Sequence, residues 1–175
     1  MPKQIALLRG INVGGKNKIK MAELREQLEA DTLKNVTTYI QSGNIIFNST
    51  ATPASLEKKI SRIIKSKFGF DIPVLVFPLK RLQRLVKENP FAKKQIEHVA
   101  VTLLNKKPTK QDIAAIKDLD FGNDQFQITG DNIFLHCPNG FSRTKLTNNF
   151  FEQKLNVTAT TRNWKTINKL IELSV

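Results

Sequence analysis

The stretch VTTYIQSGNIIFN, residues 36–48, sets the topology of the chain. Two short apolar runs, Val36–Ile40 and Ile45–Asn48, flank Gln41-Ser42-Gly43-Asn44. That pattern predicts two strands joined as a hairpin. Upstream, QIALLR (4–9) reads as a buried strand ending at Gly10. Residues 20–30 read as a helix with Met21, Leu24 and Leu28 on one face. Downstream, Thr52-Pro53 supplies a cap followed by proline at the first helical position. The helix that follows is expected to bury Leu56, Ile60, Ile63 and Ile64 and to stop at Gly69. Ile72–Phe77 then gives a further strand, and Pro78 opens a helix that closes before Pro90.

The order β-α-β-β-α-β plus a helix is then repeated. His98–Leu104 reads as a strand, and Thr109 caps a helix with Asp112 three residues on and Ile113, Ile116 and Leu119 as its expected core face. Phe126–Thr129 and Ile133–His136 flank a second hairpin turn at Gly130-Asp131-Asn132. Ser142 is expected to start a helix carrying Leu146, Phe150 and Phe151. Val157–Thr160 reads as a short β-branched strand. Asn163 is expected to cap a last helix with Trp164, Ile167, Leu170 and Ile171 inside. This element order is the split β-α-β of ferredoxin-like folds. The expected fold class is therefore α+β: tandem duplicated ferredoxin-like units packed together, residues 1–89 and 90–175, with a C-terminal helix.

Composition narrows the function classes. The 175 residues carry 28 Lys and Arg against 15 Asp and Glu, a net charge of +13, and 40% are hydrophobic. That is enough apolar material for a core and excludes general disorder. Before residue 90 there are 16 cations and 7 acids, a net +9; from there on 12 and 8 leave +4. No apolar run approaches the ~20 residues of a membrane helix, and the early run Ile5–Leu8 is too short for a signal peptide. One cysteine and two histidines exclude an internal disulfide and a Cys-rich zinc site. A cytoplasmic protein without cofactor or metal is expected, and no membrane partner.

Three segments are candidates for chemistry. GINVGGKN (10–17) has the glycine and lysine spacing of a P-loop but Asn17 where magnesium needs a hydroxyl. The hairpins also contradict the parallel sheet of an NTPase. The bland reading is a glycine turn; the sharper one adds that Gly14 and Gly15 free backbone N–H groups for an anion, with Lys16, Lys18 and Lys20 following. Gln41–Asn44 is read as a turn, or as polar groups that orient a ligand. Arg143 and Lys145 in the first turn after Ser142, and Arg162 before Asn163, would place cations at two further helix starts, where phosphates and carboxylates bind. With so many basic residues, some fall at helix starts by chance. The nucleophile search is thin: adjacent strand residues His136 and Cys137 point to opposite faces.

ALLRGINVGGKNKIKMAEL (6–24), TYIQSGNIIF (38–47) and SRTKLTNNFFEQKL…ATTRNW (142–164) together resemble the bacterial family "domain of unknown function 1697". The resemblance runs from the first strand to the last helix. It implies a small bacterial cytoplasmic protein of duplicated ferredoxin-like fold and no particular activity. Its segments contain the candidate anion-binding residues Arg9, Asn12, Gly14, Gly15, Lys16, Ser42, Asn44, Ser142, Arg143, Lys145, Arg162 and Asn163. Trp164 is read as a pocket wall or, on the helix periodicity, as core.

Three functions remain open on the sequence. The first is a binding module for a phosphate-bearing partner, nucleic acid or nucleotide. The second is an enzyme on a small anionic metabolite, with Ser42 or Asn44 orienting it. The third is a structural or protein-interaction role, in which the motifs serve the packing of the two units and Arg9, Arg143 and Arg162 are expected to be buried in ion pairs and hydrogen bonds. No RNP1 pattern exists, so base stacking of the RNA-recognition type is weakly supported.

Overall fold

The structure, a computed structural model, describes residues 1–175. It divides into two units, Met1–Gln83 with Leu170–Val175, and Arg84–Lys169. The division points fall inside two helices, α3 (Leu79–Glu88) and α6 (Trp164–Glu172).

The first unit is built from β1 (Lys3–Leu8), α1 (Met21–Ala30), β2 (Lys34–Tyr39), β3 (Asn44–Asn48), α2 (Pro53–Phe68) and β4 (Val74–Pro78). Its sheet has the order β2-β3-β1-β4, every neighbouring pair antiparallel. The helical crossovers β1-α1-β2 and β3-α2-β4 each skip one strand, which is the ferredoxin-like weave. The α2 helix follows its sequence signals closely. Thr52 Oγ1 accepts the Ser55 N–H, Pro53 occupies the first turn, and Gly69 ends the helix at φ 77° with its N–H on the Lys65 carbonyl. By contrast, α1 has no side-chain cap. Its stability comes from Leu24 and Leu28, both fully buried, at ~1.5–3 kcal/mol each.

The second unit repeats the plan with β5 (Val99–Leu104), α4 (Lys110–Lys117), β6 (Gln125–Thr129), β7 (Asn132–His136), α5 (Asn148–Leu155) and β8 (Ala159–Asn163). Its sheet order, β6-β7-β5-β8, is the same and again antiparallel. Thr109 caps α4 as expected, accepting the Asp112 N–H while its hydroxyl donates to the Asp112 carboxylate. The fold is thus a tandem pair of ferredoxin-like units.

Each unit has one core between its sheet and its two helices. In the first it gathers Ala6, Leu8, Ile45 and Phe47 against Leu24, Leu28, Ile60 and Ile64; in the second, Ala100, Leu104, Ile133 and Leu135 against Ile116 and Phe151. The opposite sheet faces are apolar and buried as well: Ile5, Leu7, Leu75 and Phe77 in one unit, Val101, Leu103 and Phe134 in the other. The face on which RNA-recognition modules stack bases is therefore closed in both sheets.

Two local expectations are corrected. No helix begins at Ser142. Residues 142–147 form an irregular loop, and α5 starts at Asn148 with Thr147 as its cap. Side-chain hydroxyls in this loop compete with helical hydrogen bonding: Thr144 Oγ1 accepts the Leu146 N–H and Thr147 Oγ1 the Phe150 N–H. Arg143 and Lys145 are accordingly not in a helical first turn. The last strand is also shifted, Ala159–Asn163 rather than Val157–Thr160, so Arg162 and Asn163 belong to β8, while α6 starts at Trp164, directly after Asn163 as expected.

Candidate functional site

The first two sequence segments meet in the first unit. Gly10 to Ile19 forms a loop after β1. Within it, Val13 and Lys16 pair across Gly14-Gly15, and the Lys16 N–H bonds the Val13 carbonyl at 3.0 Å. Both glycines have positive φ, 58° and 74°, the requirement of a type I′ turn. Gly14 and Gly15 thus close a miniature hairpin, and the first turn of α1 lies several residues further on. No P-loop cradle exists here.

Asn12 fixes this loop from inside. It sits at φ 54°, where asparagine is better tolerated than most side chains. Its Nδ2 donates to the Ile19 carbonyl at 2.9 Å and to the Gln41 carbonyl at 2.8 Å, while its Oδ1 accepts the Ile19 N–H at 2.9 Å. Asn17 adds a bond from Nδ2 to the Gly10 carbonyl. The Gln41 contact ties the loop to the β2–β3 turn. There, Asn44 is fully buried and its Nδ2 donates to the Tyr39 carbonyl and to Ser42 Oγ. Gly43 packs so closely on Leu8 that a Cβ would lie 2.6 Å from the Leu8 Cβ. Asn12, Ser42 and Asn44 are consequently occupied in building the loops.

The basic side chains around this frame are differently placed. Lys16, Lys18 and Lys20 are exposed. Lys20 pairs with Glu23 at 3.5 Å. Lys16 and Lys18 have no acidic partner. Arg9 is half-buried, with its backbone N–H on the Pro73 carbonyl.

The third segment lies in the second unit and serves two environments. Ser142, Arg143 and Thr144 line a groove of about 780 Å3, facing Phe121, Asn123 and Asp124. Lys145 is exposed nearby in sequence and does not line it. The loop is held by buried Leu146 and by Thr144, whose Oγ1 lies 3.6 Å from Cys137 Sγ. Arg162 does not join that groove. It stands opposite Val101 in the β5–β8 register, on the sheet face turned away from α4 and α5. It is only 8% exposed, with Nη1 donating to the Thr161 carbonyl at 2.9 Å. Burial lowers its guanidinium to about 10, still protonated at neutral pH. Asn163 is exposed at the strand end. Trp164 is core, its ring 6.2 Å from Phe134.

The groove walls Phe121, Asn123, Asp124 and Asn139 were not anticipated from the sequence. Their only sequence signal is the pair of turn glycines beside them, Gly122 and Gly140, at φ 65° and 84°. His136 and Cys137 form no catalytic pair. The His136 ring stacks on Phe91, and its imidazole is lowered by burial first and Lys94 second. The Cys137 thiol is buried in the helix-side core and pushed up to about 11 by desolvation. No group of three or more His, Cys, Asp or Glu side chains is arranged to hold a metal, and no helix is long and apolar enough to cross a membrane.

A tandem ferredoxin-like chain with asparagine-pinned glycine loops and a polar groove is the class the geometry defines. The chain belongs to the protein family of unknown function DUF1697, whose model matches residues 1–134. It is also similar to a solved structure, the conserved bacterial protein SP0830 from Streptococcus pneumoniae, with 26% identity, a TM-score of 0.78, and 99% of each chain covered. None of the curated proteins matches.

Proposed function

We propose that this chain is a binding protein for a phosphate-bearing ligand, nucleic acid or nucleotide, contacted through its phosphates. The observation that carries this reading is the pinned loop of the first unit. It presents Lys16 and Lys18 to solvent, without acidic partners, on a backbone held by the Asn12 and Asn17 hydrogen bonds. Cations on a preorganised frame lose little entropy when they meet an anion. The net +13 supplies long-range attraction. With the sheet faces buried, recognition would run through the phosphate backbone rather than through stacked bases.

The test is fluorescence anisotropy with labelled single- and double-stranded RNA and DNA, across a salt series, with ATP as competitor. Lys16→Ala and Lys18→Ala are each expected to reduce the slope of log affinity against log salt by ~0.7–0.9, with the melting temperature unchanged. Binding that vanishes at physiological salt, with both variants indistinguishable from the parent, would sink the proposal.

A second reading, an enzyme on a small anionic metabolite, is favoured by the groove beside Arg143, where the Ser142 and Thr144 hydroxyls, two asparagine amides, one cation and the Asp124 carboxylate surround a concave space. A thermal-shift screen of small phosphates and carboxylates against the parent and Arg143→Ala separates the two: a shift lost in Arg143→Ala supports the groove.

A further inference from the structure

Four strands form the edges of the two sheets, and three of them are closed. The β2 edge is interrupted by a register shift between Lys34 and Thr37, with Asn35 at φ 54° and a lysine at its start. On β4 the Val76 N–H is taken by the Glu57 carboxylate at 2.9 Å. On β8 the Ala159 N–H is taken by the Glu152 carboxylate at 3.4 Å. Bulges and capping charges of this kind stop an edge from pairing with another strand.

The β6 edge has none of these devices. Its sequence, QFQIT, contains no charge and no proline, and its pairing with β7 is regular from Gln125–His136 to Thr129–Asn132. The two-residue turn Gly130-Asp131 makes Thr129 and Asn132 a hydrogen-bonded pair. By alternation Gln127 and Gln125 also bond inward. The N–H and C=O groups of Phe126 and Ile128 therefore point away from the sheet.

A groove of about 510 Å3 runs beside this edge; Ile113, Leu119, Phe121, Phe126 and Ile128 give it an apolar floor, and Lys117, Asp120, Asp124 and the β6 glutamines give it a polar rim. Leu119, expected on the core face of the helix, lies beyond the end of α4 at Lys117 and is 46% exposed. An open edge with an apolar-floored groove along it is the arrangement that accepts an added strand: backbone hydrogen bonds give affinity, and alternate side chains fill the groove.

Charge identifies the occupant. Residues 118–131 contain Asp118, Asp120, Asp124 and Asp131 and no Lys or Arg, in a chain whose net charge is +13, and of these Asp120 and Asp124 line the groove. Asp131 is paired with Arg84 at 3.7 Å, and Lys117 is the one cation lining the groove. We infer that β6 is a docking edge for an extended peptide segment of another protein that carries apolar side chains at alternate positions and a net positive charge.

The probe is a fluorescein-labelled peptide of about nine residues alternating lysine and valine, titrated with the full chain at about 0.15 M salt, where charges more than ~8 Å away are screened. Three controls accompany it: a glutamate–valine counterpart, a lysine–valine peptide N-methylated at alternate residues, and the Ile128→Pro protein. Proline at 128 removes an outward N–H and leaves the β7 ladder intact. The lysine–valine peptide is expected to bind and to slow amide exchange at Phe126 and Ile128. N-methylation and Ile128→Pro are each expected to weaken it about tenfold, and the glutamate–valine peptide to bind least. Equal binding of the N-methylated peptide to the parent protein would overturn the inference whether or not Ile128→Pro folds. So would failure of the lysine–valine peptide to bind. A dimer in sedimentation that Ile128→Pro dissociates would assign the edge to a second copy instead.

Discussion

At the scale of single residues, the loops of the first unit depend on a few side chains in unusual backbone positions. Gly43 combines φ 82° with a 2.6 Å approach to Leu8. A methyl group there is strained by the backbone and by the packing together. Gly43→Ala is therefore expected to destabilise the protein by ~2–4 kcal/mol in denaturant titrations. A loss under about 0.5 kcal/mol would mean that the hairpin shifts freely. Glu57 gives a pH-dependent case. Burial raises its carboxyl above the ordinary 4.5, while the Val76 N–H and the Arg81 charge oppose the shift. A folded value above the unfolded one means that the native state holds the proton more tightly. Its stabilising contribution is fully present below about pH 4.5 and is lost as pH rises through the raised value. Glu57→Gln keeps an acceptor for Val76 and removes the titration. The stability of the variant relative to the parent should therefore rise between about pH 4 and about pH 7. A flat difference across that range would show that the carboxyl does not titrate abnormally.

Among the elements, α2 and α4 were legible because their signals are local. Thr52, Pro53 and Gly69 act within one turn of their own helix, as do Thr109 and Asp112. Thr52→Ala removes the cap on the Ser55 N–H and is expected to cost ~1 kcal/mol, read as a lower melting temperature. The start of α5 was misread for a physical reason. Ser142 is as good a cap in isolation as Thr147, but Leu146 is drawn into the core, and Thr144 spends its hydroxyl on Leu146 and lies against Cys137. Those tertiary demands hold residues 142–147 out of the helix. Of the cations expected at helix starts, Lys20 stands at the N-cap of α1, whereas Arg143 lies in a groove wall and Arg162 in a buried strand.

At the scale of the whole molecule, the charge is the dominant feature. A net +13 on 175 residues repels itself in the compact state. Ion pairs such as Lys165–Glu97, at 2.8 Å, lie exposed to solvent and are weakened by it. The melting temperature is accordingly expected to rise between about 10 mM and about 300 mM salt, as screening shortens the range of repulsion. A fall would show that the native pairs outweigh it. The same surplus makes the acid-only stretch 118–131 conspicuous and gives the β6 edge its selectivity.

The hydrophobic periodicity and turn residues of the sequence determined the element order, the duplication and most core positions, because each depends on neighbours a few residues away. The roles of the polar residues were decided only by the tertiary structure. Asn12 and Asn44 proved to be loop braces because their partners, Gln41 for Asn12 and Tyr39 for Asn44, come within reach once the β2–β3 hairpin has formed. Arg162 is buried because β8 carries it onto the apolar face of its sheet. Which strand edge stays open depends on the β2 register shift and on where Glu57 and Glu152 reach from the helices preceding β4 and β8, and no hydrophobic periodicity encodes that reach.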